Sequence, residues 1–136
     1  MPKSILIPIA LDHDALVPSK LALAHRLLDA GGRITLVTVL EKIPGYTQEF
    51  VTVKSENHLS QRVIEQLKVL AADDAAIDVK VISGKAGMAI SELAGDMACD
   101  LIIVGSHSPG LQGYFLGSTA ARIVRRAPCS VLVVRN

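Results

Sequence analysis

Short apolar runs alternate along this chain with longer segments whose apolar positions recur every three or four residues. The two periods predict strands and helices in turn. Ser4 to Ile9 (SILIPI) reads as a short buried strand, with Pro8 near its end, where a missing ladder N–H matters least. Leu11 to Ala15 is polar and reads as a loop. A helix follows from about Leu16 to Ala30, with Leu21, Ala24 and Leu28 on one face and Leu23 and Leu27 beside them. Gly31-Gly32 is expected to end it through a left-handed glycine. Ile34 to Leu40 (ITLVTVL), rich in β-branched residues, is a second strand.

Glu41 to Lys54 is the least regular part. Pro44-Gly45 marks a turn, and the remainder reads either as a loop or as the lead-in to a helix. A second helix is expected from about Glu56 to Ala72, with Leu59, Val63, Leu67 and Leu70 on its apolar face. Ile77 to Ile82 reads as a third strand, with Gly84 and Gly87 at its exit. Gly87 to Ala98 reads as a helix with Ile90, Leu93 and Met97 inward. Leu101 to Val104 is a fourth strand, Ala120 to Ala127 a helix closed by Pro128, and Ser130 to Val134 a last strand. The order β-α-β-α-β-α-β-α-β predicts an α/β fold: one domain over 1–136, a five-stranded parallel sheet and helices on both faces, Rossmann-like in plan. In such sheets ligands lie beyond the carboxyl ends of the strands, near the point where strand order reverses.

Composition narrows the functions. Half of the residues are hydrophobic, but there are only two Phe, two Tyr and no Trp, so the core must be aliphatic. The scarcity of stacking aromatics, and a net charge of +1 without a basic run, argue against nucleic acid as a partner. Arg122, Arg125 and Arg126 cluster near the C-terminus, either as a solvated helix face or, for Arg122, within reach of a phosphate. Cys99 and Cys129 lack metal or redox spacing and lie beside strands, so both are expected to be buried free thiols. No secretory segment precedes the first strand, and no apolar run approaches the roughly 18–20 residues of a membrane span. A cytoplasmic, non-membrane protein is expected.

The densest chemical signal is LIIVGSHSPGLQGYFLGST, residues 101–119. An apolar strand runs into a loop holding Gly105, Gly110, Gly113 and Gly117, and Ser118-Thr119 then opens a helix. Glycines let backbone approach a ligand and take positive φ, and the first N–H groups of a helix face an anion favourably. Ser118 is also a natural N-cap. The pattern therefore points to a phosphate-bearing ligand. No G-x-x-x-x-G-K-[ST] occurs, nor a G-x-G-x-x-G after the first strand, and the loop has no lysine near its phosphates.

Gly105-Ser106-His107-Ser108, eight residues, then Gly117-Ser118 resembles the G-x-x-G-(nine residues)-G-[ST] loop of the ATP-binding universal stress proteins. ILIPIA, LVTVL, Gly84, DLIIVGSH and APCSVLVVR extend the resemblance along the whole chain. It implies an adenine-nucleotide-binding domain of the adenine nucleotide alpha hydrolase-like kind, acting as a stress-response sensing or regulatory module. By position, the resemblance puts phosphate contacts on Gly105, His107, Gly117, Ser118 and Thr119, beside Val104 at the strand end. Pro8, Ile9, Ala10 and Val39 would enclose the adenosine. It implies ATP as ligand, with magnesium arriving on the nucleotide, and a homodimer or higher homo-oligomer formed through Ser130 to Val134. Three departures stand out. Ala10 occupies the place of the family's Asp, with Asp12 a candidate substitute; Ser108-Pro109 replaces a glycine; and the loop is one residue short.

Three functional classes follow: an ATP-binding module, a slow ATPase or self-phosphorylating enzyme, and a nucleotide-free dimeric interaction protein. No nucleophile–base constellation can be assembled, which favours the first over an enzyme. His107 is either bonded to backbone or a phosphate contact, while His25 and His58 read as surface residues. Asp12-His13-Asp14 lacks further ligands at metal spacing, so no dedicated metal site is expected.

Overall fold

A computed structural model describes residues 2–10, 16–41, 53–106 and 116–135, with backbone alone for 53–57. The elements are β1 (Ser4–Pro8), α1 (Val17–Leu27), β2 (Arg33–Leu40), α2 (Val53–Ala71), β3 (Ile77–Ser83), α3 (Ala86–Asp96), β4 (Leu101–Gly105), α4 (Ser118–Arg126) and β5 (Ser130–Val134). The strands form one five-stranded sheet in the order β3-β2-β1-β4-β5, and every pairing is parallel. The expected α/β architecture is therefore the observed one.

The patterning follows from position in the sheet. β1 and β2 are central, and Ile5, Leu6, Ile7, Ile34, Leu36 and Val37 are fully buried, as strands covered on both faces require. Edge strand β3 alternates instead between exposed and half-buried positions. On one face, Ile5, Ile7, Ile34, Leu36 and Ile103 meet Val17 and Ala24 of α1 and Val63, Leu67 and Ala71 of α2. On the other, Leu6, Val37, Ile102 and Val104 meet Ile90, Leu93 and Ala94 of α3 and Ala120 and Ile123 of α4. Gly87 lets these last two helices close up, since a Cβ there would stand 2.7 Å from the Cβ of Arg122.

Several expectations shift in detail. Helix α1 stops at Leu27, because Leu28 turns to extended backbone (φ −65°, ψ 130°). Gly31 does take positive φ (79°), but in the turn beyond the helix rather than as its cap. Leu59 is half exposed, because α2 packs on the sheet through its C-terminal half. Cys99 is buried, whereas Cys129 is only half-buried; both are free thiols. His58 is exposed, and His25 lies at the surface 3.3 Å from Asp74. The readings of Leu11 to Ala15 and Pro44-Gly45 fall outside the described residues.

Candidate functional site

Pro8 ends β1 and Ile9 and Ala10 follow it, Val39 lies one residue from the end of β2, and Val104 and Gly105 end β4. All therefore stand at the carboxyl end of the sheet. Strand order reverses there between β1 and β4: the chain runs outward through β2 and β3, then returns to β1's other side with β4 and β5. Gly117, Ser118 and Thr119 start α4, at the far end of the loop that leaves β4.

Backbone hydrogen bonds hold this edge in place. Ile9 N–H donates to Val37 O at 2.7 Å, and the Thr38 hydroxyl donates to Ile9 O at 2.9 Å, so the segment after β1 is pinned to β2. Ile9 is 4% exposed and Val104 likewise, and their side chains belong to opposite cores. They can present only backbone to a ligand. Ala10, by contrast, is exposed. Val39 packs against the α3/α4 core. Past β4, Ser106 N–H donates to Val134 O at 2.9 Å.

The glycine loop is closed at its neck. Gly117 N–H donates to Ser106 O at 3.3 Å, which brings the start of α4 against the end of β4. Ser118, Thr119 and Ala120 then occupy the first helical turn, whose N–H groups have no carbonyl within the helix to receive them. Ser118 and Thr119 are exposed. A backbone hydrogen bond thus joins a strand end to a helix start, whose first N–H groups are the kind of donors that favour an anion.

Two features differ from expectation. Ser118 is not the N-cap: Gly117 holds that position in extended backbone (φ −60°, ψ 152°), and no side chain caps the helix. The Ser118 hydroxyl thus sits one residue too far along to accept from its own first turn. Gly117 needs no positive φ; it is buried, and the Ser106 contact fixes it.

The second difference is a lysine beside Gly105, at the end of β4. Lys20, on the first turns of α1, is 4% exposed, and its Nζ donates to Pro8 O at 3.4 Å. Lys20 falls on the buried stripe Val17-Lys20-Ala24, a core-facing position by spacing. The sequence signal was that spacing, masked by the expectation that a lysine faces water. Arg122 is exposed, with its stem packed over Gly87. His107, Ser108, Pro109, Gly110, Gly113, Asp12 and the Asp12-His13-Asp14 triplet lie outside the described residues. Among the described residues no group of three or more His, Cys, Asp or Glu is placed to hold a metal ion. Nor is any helix among them long and apolar enough to cross a membrane.

Comparison with known proteins gives a consistent picture. The model of the universal stress protein family matches residues 1–135. Universal stress protein G of Escherichia coli O157:H7 is 28% identical over 142 aligned positions, covering 99% of this chain and all of that protein. Among solved structures, a universal stress protein in complex with cAMP superposes with a TM-score of 0.69 at 18% identity, over 98% of this chain and 97% of the other. The universal stress protein from Archaeoglobus fulgidus in complex with dAMP gives 0.64 at 15% identity, over 96% and 95%.

Proposed function

Because the chain belongs to the universal stress protein family, we propose that it binds an adenine nucleotide at the carboxyl end of its sheet and acts as a sensing or regulatory module. The observation that carries this is the closed neck, Gly117 N–H to Ser106 O, which sets the open first turn of α4 beside the end of β4. Phosphates would lie on the N–H groups of Ser118 and Thr119, with Gly105 and His107 on the loop side. The adenosine would rest on the backbone of Pro8, Ile9 and Ala10 and against Val39. Related proteins in complex with cAMP and dAMP support an adenine ligand carrying phosphate.

ATP is the proposed physiological ligand. Magnesium would arrive with it, since that ion needs only one or two protein oxygens besides phosphate and water. The protein is proposed to work in the cytoplasm as a homodimer joined through Ser130–Val134.

Native mass spectrometry of protein taken directly from cells tests the nucleotide reading. The expected result is a mass increment of AMP, ADP or ATP, or one that appears on adding adenylate. A bare chain that takes up no adenylate at millimolar concentration would leave a nucleotide-free interaction protein as the better description.

A further inference from the structure

A lysine stem crosses from α1 to the point where strand order reverses. Val17, Lys20 and Ala24 are the buried residues of α1, at i, i+3 and i+7, so Lys20 holds a place that packing alone would give to an aliphatic residue. Its head group does not return to the surface. It runs along Gly105, where a Cβ would stand 3.4 Å from Lys20 Cε, 3.6 Å from Nζ and 3.2 Å from Leu16 Cδ1. A Cβ at 105 would crowd Leu16 and come into van der Waals contact with the end of this lysine. Gly105 is not among the positive-φ glycines; the end of Lys20 and the side chain of Leu16 lie against its bare Cα.

The ammonium consequently stands between the end of β1, whose Pro8 carbonyl accepts from it, and the end of β4 at Gly105. An ammonium carries three donors and can hold protein oxygens and a ligand oxygen together. A cation fixed at this crevice, by a stem its surroundings immobilise, suits an anionic group better than a sugar or base. We propose that Lys20 is a binding residue for the phosphates of the nucleotide, reached from α1 across Gly105. The proposal rests on the nucleotide reading for the identity of the ligand, but not for the anion preference of the lysine.

Two measurements separate the ideas. Calorimetry compares the wild type with K20M and K20R against ADP and against adenosine. K20M is expected to lose about tenfold or more in ADP affinity, the range of a hydrogen bond to a charged group, with adenosine affinity unchanged and K20R intermediate. Equal ADP affinity in wild type and K20M, or an equal loss for adenosine, would overturn the proposal while leaving nucleotide binding intact. The second measurement reads the wild type and needs only the conservative K20R variant, for assignment. The 15N signal of the Lys20 ammonium is followed as pyrophosphate is added to the wild type, with its assignment made by its loss in K20R. A saturable shift is expected, and an unmoved signal contradicts the proposal. A shift with pyrophosphate in a protein that binds no adenylate would retain Lys20 as an anion contact and reject the adenine reading.

Discussion

Single residues set close tolerances at two ends of this molecule. Gly87 is one: the atom its Cβ would meet is the Cβ of Arg122, fixed to the α4 backbone, so even Ala would have to push α3 and α4 apart. Gly87→Ala is expected to cost about 1–3 kcal/mol, read as a lowered melting temperature. Asp100 is another. Its Oδ2 accepts from the N–H groups of Lys3 and Ser4 at 2.8 and 3.0 Å, and these bonds hold its carboxyl below the usual range. A depressed folded pKa contributes stability above the unfolded value, roughly 3.9, and that contribution is lost as pH falls through the folded value. Wild type should therefore be more stable than Asp100→Asn near neutral pH, with the gap narrowing in acid below about pH 4 in chemical denaturation. A gap independent of pH would reject this role for the carboxylate.

At the scale of elements, the strands were legible and the helix ends were not. A strand buried on both faces is apolar nearly throughout, with threonine the one polar type inside Ile34 to Leu40, so that run and Leu101 to Val104 announce themselves. A helix end depends on local backbone angles that many residues accept. Leu28 turns extended before Gly31, and Gly117 rather than Ser118 caps α4, although serine is a strong N-cap by type. Lys20 was missed because residue type outweighed helical spacing; only the fold shows that its stem has Gly105 to lie against. The cap correction reverses one expectation. With no capping hydrogen bond to lose, Ser118→Ala should change stability by less than about 0.5 kcal/mol, the scale of ordinary surface substitutions. Any loss of ADP affinity in that variant would then report on the ligand alone. A destabilisation of a full cap's size in thermal melts would show that Ser118 caps after all.

For the whole molecule, strand order decides both the crevice and the free edges. Placing β1 between β2 and β4 puts the reversal of strand order there, the place where such sheets take ligands at the carboxyl ends, and leaves β3 and β5 outermost. The two edges differ: exposed Asp78 and Lys80 punctuate β3, whereas Val131, Leu132 and Val133 of β5 are half-buried and uncharged. An apolar edge invites pairing with another strand, and an isologous dimer closes it. Sedimentation at micromolar concentration is expected to show a dimer, and Leu132→Lys on β5 to shift it to monomer. A wild-type monomer would remove the assembly proposal without touching the crevice.

The central claim, that open amides at the β4–α4 neck receive a phosphate-bearing adenylate, is tested most directly by amide 15N–1H spectra during ADP titration. The account predicts saturable shifts concentrated at Gly105, Ser106 and Gly117 to Ala120, with smaller ones at Ile9 and Ala10. Unchanged spectra at millimolar ADP, or shifts centred on β3 and the end of α2, would contradict it.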